Sequence, residues 1–279
     1  MIWVDFRKQV WRLRTYLALG VMIAIPVITV VAFKLSGGPN ERNGQLNLFD
    51  LGTRSGLNMP IDSLLVMSGF LLPVVVSLFA GSAIAEEASW GSLRYLLIRP
   101  VARGRLLAGK LSVVLLLALA ATLLIAVTAL AGGVAAFGWH PVAIPSFSSG
   151  ISSTIPTSIV TISQSQAFAR LVASTFYVAW CMTGIIAFAF MLSTITDAAL
   201  GAVSGGIGLT VVSEILDAIP PLKTSRNFFI THYWQAWTGL FRQPMETGDI
   251  VRGVLIQLPY ALAFLAFAWW WFHRKDILS

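Results

Sequence analysis

Six stretches of this chain are long and apolar enough to cross a lipid bilayer, and they constrain its fold more than any other feature. They are Thr15–Phe33, Ile61–Ala85, Leu111–Phe137, Leu171–Leu192, Ala198–Ile219 and Gly253–Phe272. A helix rising about 1.5 Å per residue needs roughly 20 apolar residues to traverse the hydrocarbon. Strands of a membrane barrel take about 9–11 residues, so these runs are too long for one. Composition agrees: 57% of the 279 residues are hydrophobic and 11% are charged, against roughly 25% charged in a soluble domain. The expected fold is all-α, a polytopic membrane protein whose six transmembrane helices form a single domain over residues 1–279, with no room for a second soluble domain. Pro26, Pro73 and Pro259 fall inside the runs and predict kinks rather than breaks, because neighbouring helices can satisfy the freed carbonyls.

Basic residues set the orientation. Arg7, Lys8, Arg12 and Arg14 precede the first run; Arg94, Arg99, Arg103, Arg105 and Lys110 follow the second; Arg274 and Lys275 follow the last. An even number of spans puts all three groups on one side, and the bias of short basic loops makes that side cytoplasmic. Lys34, Arg42, Arg54, Arg170, Lys223, Arg226, Arg242 and Arg252 oppose it from longer outer segments. The expectation is a bacterial cytoplasmic membrane protein with both termini inside. The net charge of +7 then reads as attraction to anionic lipid and not to nucleic acid. The first 14 residues place Trp3, Phe6, Val10 and Leu13 at helical spacing, which predicts an amphipathic helix lying in the inner interface. The run behind it is longer than a signal-peptide core and ends in no small-residue cleavage site.

The segment from Glu86 to Lys110 carries two acidic and five basic residues. Each basic residue costs ~2.5–3.5 kcal/mol at mid-bilayer, so together they cost more than ~12 kcal/mol and the segment cannot span. Leu93, Leu96 and Leu97 nevertheless share one helical face, with Trp90 and Tyr95 close by, and Pro100 ends the helix. A short amphipathic helix on the cytoplasmic face is expected, followed by a basic turn and re-entry at Leu111.

Glu87, Gly91, Ser92, Leu93, Leu96, Leu97, Pro100, Val101, Arg103, Gly109 and Lys110 stand in a pattern that resembles the type-2 ABC transporter permeases. The six spans, the amphipathic lead-in and the ending Phe272-His273-Arg274-Lys275-Asp276 agree with it in layout. The resemblance implies a permease subunit of an ATP-binding cassette exporter, paired with a second copy or close paralogue and docked on two copies of an ATPase. ATP and Mg would then belong to that partner, with no cofactor, metal or catalytic site in this chain. It also implies that the helix Ser89–Arg99 couples to the ATPase, with Glu86, Glu87, Gly91, Ser92, Leu93, Arg94, Leu96, Leu97, Arg99, Pro100 and Arg103 as the coupling residues. The alternatives are an intramembrane enzyme, or a membrane anchor or sensor that recruits a cytoplasmic protein.

Gly104-Arg-Leu-Leu-Ala-Gly109-Lys110-Leu111 approaches the phosphate-cradling loop but lacks the hydroxyl that holds magnesium. Ser204 in Ala202-Val203-Ser204-Gly205 lacks the leading glycine of rhomboid-type proteases, and His140, His232 and His273 lie outside the apolar cores, so no base is at hand. The lone Cys181 excludes an intrachain disulfide. Gly201, Gly205 and Gly208 give the fifth helix a smooth face, suited to subunit contact or to packing within one bundle. Glu214 and Asp217 share a face near its outer end and are candidates for a pathway rim. Phe228, Phe229, Tyr233, Trp234 and Trp237 read as an outer aromatic belt, with Trp269, Trp270 and Trp271 as the inner one.

Overall fold

A computed structural model describes Arg7 and residues 9–35, 55–89, 103–146 and 158–275. Five helices are long and apolar enough to cross a membrane, or six if one bent pair is a single span. The first, α1 (Leu13–Leu35), buries Thr15, Ala18, Met22, Pro26 and Val30, a stripe three or four residues apart. That spacing is one face of a helix, and it packs against α5 (Arg103–Phe137). Leu17 and Ile28 on the other face are open, as a lipid-facing side requires.

The second apolar run forms α2 (Asn58–Gly69) and α3 (Leu71–Gly81), bent by 55° at Phe70. Pro73 supplies the physical reason. It sits in the first turn of α3, where its missing N–H is tolerated, and it leaves Phe70 outside helical geometry. A short α4 (Ala85–Ser89) follows. Residues 90–102, which hold most of the expected coupling helix, and residues 1–6 and 8, half of the expected interfacial helix, lie outside the described residues.

Helix α5 begins at Arg103, not at Leu111, so the expected basic turn is instead the first two turns of the helix. Its 35 residues reach roughly 50 Å, well beyond the roughly 30 Å of hydrocarbon, so one end projects past the bilayer core. At the opposite end, β1 (Val142–Ser146) pairs antiparallel with β2 (Ser158–Ile162). The fourth run is α6 (Gln164–Cys181) continued by α7 (Thr183–Ile195), the fifth α8 (Ala199–Asp217) and the last α9 (Gly248–Arg274).

Between α8 and α9 the chain forms two 3-10 stretches, Pro220–Phe228 and Ala236–Phe241. Here the aromatic belt is not what forms. Phe228 is exposed, but Tyr233, Trp234 (1% exposed) and Trp237 (0%) point into the core. The segment folds back because Pro220-Pro221 stops α8, and side chains of the bundle then satisfy its carbonyls. Tyr177 donates to Tyr233 O (2.7 Å), Gln257 to Ile230 O (2.8 Å) and Arg170 to Leu240 O (2.7 Å). Irregular backbone within a membrane protein needs such partners.

Close helix contacts use glycine. Gly56 and Gly133 bring the start of α2 against α5: a Cβ on Gly56 would lie 2.5 Å from the Gly133 carbonyl carbon, and one on Gly133 would lie 2.8 Å from Met59 Cβ. Backbone has nowhere to move, so Gly133→Ala is expected to cost about 1–3 kcal/mol, as overpacking does. Gly208, where a Cβ meets nothing, should tolerate alanine within about 0.5 kcal/mol. Thermal unfolding of the two variants in detergent checks this pair; equal midpoints would refute the contact.

Candidate functional site

The basic end of the bundle gathers charged side chains from sequence-distant elements. Helix α4 stands at the centre. It touches α7 and α8, and its first turn presents Glu86 and Glu87. Arg12 and Arg14, at the start of α1, both ion-pair with Oε2 of Glu86. Gln9 donates to Phe79 O (3.4 Å), fastening the same lead-in segment to α3.

Glu87 turns the other way, into the protein. Its carboxylate meets Lys110 Nζ at 2.6 Å, and both side chains are nearly inaccessible (11% and 6%). Lys110 also donates to Ala83 O at 2.9 Å, a carbonyl in the turn between α3 and α4. Lys110 lies on the buried side of α5 beside Leu106, Leu107 and Val113. An ammonium among such groups is tolerable only when paired and hydrogen-bonded. This pair is why the helix can begin before the apolar run does.

Two further cations hold helix ends. Arg103 donates to His273 O (3.0 Å) and Lys275 O (3.3 Å) at the close of α9. Lys275 Nζ reaches Thr194 O and Ile195 O (3.3 Å each) at the end of α7, and Asp197 Oδ1 (2.7 Å). The last carbonyls of a helix lack intrahelical partners and carry partial negative charge, so a cation there satisfies both needs. Together these contacts tie α1, α3, α4, α5, α7 and α9 at one level.

Ser89 and Arg103, the described residues that flank 90–102, belong to the two helices α4 and α5 joined at this junction. Of the expected coupling residues, Gly91, Ser92, Leu93, Arg94, Leu96, Leu97, Arg99 and Pro100 lie outside the described residues. Glu86, Glu87 and Arg103 are described, and each is engaged within the chain instead of standing free for a partner. Their sequence signal was charge at the edge of an apolar run, which does not reveal where the counter-charge lies.

The remaining candidates divide. On α8, a Cβ on Gly205 would press into Leu192 Cδ1, so Gly205 packs inside the bundle, whereas Gly201 and Gly208 stay open. Ser204 donates to Leu200 O (2.7 Å) and faces outward. Glu214 is exposed, while Asp217 accepts from Arg226 Nε (3.3 Å) and lies 2.5 Å from His232 Nδ1, pinning the 3-10 segment to α8. Asp62, at the second residue of the second apolar run, is a carboxylate that hydropathy does not single out.

A family profile described as "Protein of unknown function (DUF2705)" matches residues 52–278. The chain belongs to that family. The DUF2705 match takes in α2 through α9 and therefore Glu86, Glu87, Arg103, Lys110 and Lys275; Arg12 and Arg14 precede it. No curated protein matches the chain.

Proposed function

We propose that this chain is the membrane-spanning permease subunit of an ATP-binding cassette transporter, an exporter energised by a separate ATPase. In this reading Ser89–Arg99 form the coupling helix on the cytoplasmic face. The observation that carries the reading is the anchoring of both flanks of that segment. Glu86 and Glu87 hold one flank to α1 and α5, and Arg103 ties the other to the end of α9. A push on the segment would therefore reach most of the helices at once. The sequence pattern from Glu87 to Lys110 supports the same assignment through its resemblance to type-2 permeases.

A second copy or close paralogue would complete the pathway, and the open glycines Gly201 and Gly208 on α8 suit a close helix approach in lipid. ATP and Mg would be bound by the ATPase, two copies of which would dock beneath the permease pair. The basic end would face the cytoplasm, with both termini inside. The test of the function is copurification: the tagged permease should bring down a P-loop ATPase from its native host, and the complex should hydrolyse ATP. Isolation of the chain with no ATPase would favour a membrane anchor instead.

Orientation has its own check. A reporter active only in the cytoplasm should work when fused after Asp276 and fail when inserted within residues 147–157. Activity at the inserted site would reverse the orientation.

A further inference from the structure

The second apolar run carries a carboxylate with no partner among the described residues. Asp62 lies in the second turn of α2, about 6 Å along the helix from its start, and its side chain makes no hydrogen bond or ion pair among the described residues. The other acidic residues of the described membrane helices are paired or lie at the surface: Asp217 has His232 and Arg226, Asp249 has Arg252, and Glu214 is exposed. Asp62 is half-buried. Its surroundings on the same face are apolar and open. Leu65 (37% exposed), Val66 (69%) and Phe70 (55%) follow at three, four and eight residues, so they continue its stripe down α2 to the bend. A lone carboxylate above an open apolar and aromatic stripe is costly against lipid tails, and intramembrane acids mark ligand pathways.

We infer that Asp62 and the stripe Leu65, Val66 and Phe70 form a binding surface for a hydrophobic organic cation. The carboxylate would supply the counter-charge, the stripe would take the apolar body, and the Phe70 ring face would favour positive charge over a neutral equivalent. The inference deepens the transport reading by naming a substrate class, and its test needs no ATPase.

The experiment is equilibrium dialysis of the purified chain in detergent against tetraphenylphosphonium, with triphenylphosphine oxide as the neutral counterpart. Saturable binding of the cation is expected. Asp62→Asn, which keeps size and shape, should weaken it about tenfold, the equivalent of ~1.4 kcal/mol, and Asp62→Glu should retain most of it. Phe70→Ala should weaken it independently. The neutral compound should bind alike to all variants that preserve the carboxylate stripe's apolar part. Unchanged cation binding in Asp62→Asn, or no saturable binding to the native chain, overturns the inference. So does displacement of the cation by phosphatidylethanolamine at equal strength, which would assign the carboxylate to a lipid headgroup. Failure of the transport reading would show separately, as absence of an ATPase from the purified complex, and would leave this binding intact.

Discussion

Lys110→Met is expected to destabilise the folded chain by about 3–5 kcal/mol, the usual effect of removing one member of a buried ion pair. Methionine fills the space of the lysine stem. What it cannot do is neutralise Glu87, whose carboxylate is left beside it in a site that excludes water. The Ala83 carbonyl also loses its donor. A drop of this size should lower the unfolding midpoint in detergent by about 10 °C. Glu87→Gln alone should be damaging for the mirrored reason, since it leaves an unpaired ammonium. The double variant should recover much of the loss, because a buried pair replaced by neutral groups is often close to neutral in stability. A midpoint for Lys110→Met equal to that of the native chain would mean that the pair is not closed in the membrane.

The second large effect concerns the ATPase. Leu96→Asp should abolish copurification and ATP-dependent transport while the permease still inserts and accumulates to native levels. In the proposed coupling helix Leu93, Leu96 and Leu97 form the apolar face, and a carboxylate there would lose the apolar contact and add a desolvation cost at the interface. Glu87→Lys is a poorer probe than its place in the sequence suggests. It would set a second cation against Lys110 inside the protein, so the variant should fail to accumulate before any question of docking arises. The two outcomes separate a docking defect from a folding defect. Normal complex formation by Leu96→Asp would remove the coupling role and favour a helix that rests on lipid headgroups.

The contrast between these two variants shows where sequence reading stops. Glu86 and Glu87 stand side by side at the edge of an apolar run, and nothing local tells which is buried. The structure sends Glu86 to the arginines of α1 and Glu87 to Lys110, 23 positions further along the chain. Arg103 and Lys275 likewise read as basic flank residues that orient the protein. In the fold they cap the ends of α9 and α7. Trp234 and Trp237 show the same limit. An aromatic cluster after a double proline resembles an interfacial belt, but the segment turns inward because Tyr177, Arg170 and Gln257 from other helices are there to satisfy its backbone.

What the sequence determined by itself was the helical, membrane-crossing character of the chain and the approximate bounds of each apolar run. Crossing a bilayer is a local requirement: each segment must be apolar over its own length and must close its own backbone hydrogen bonds, so the information lies within about 20 consecutive residues. Tertiary structure alone decided the bend at Phe70, the early start of α5, the split of the α8 glycines into packed and open positions, and the lack of a partner for Asp62 among the described residues. Each of these depends on which helix stands beside which, and in a low-dielectric interior the worth of a charge or a glycine is set by its neighbour across the bundle.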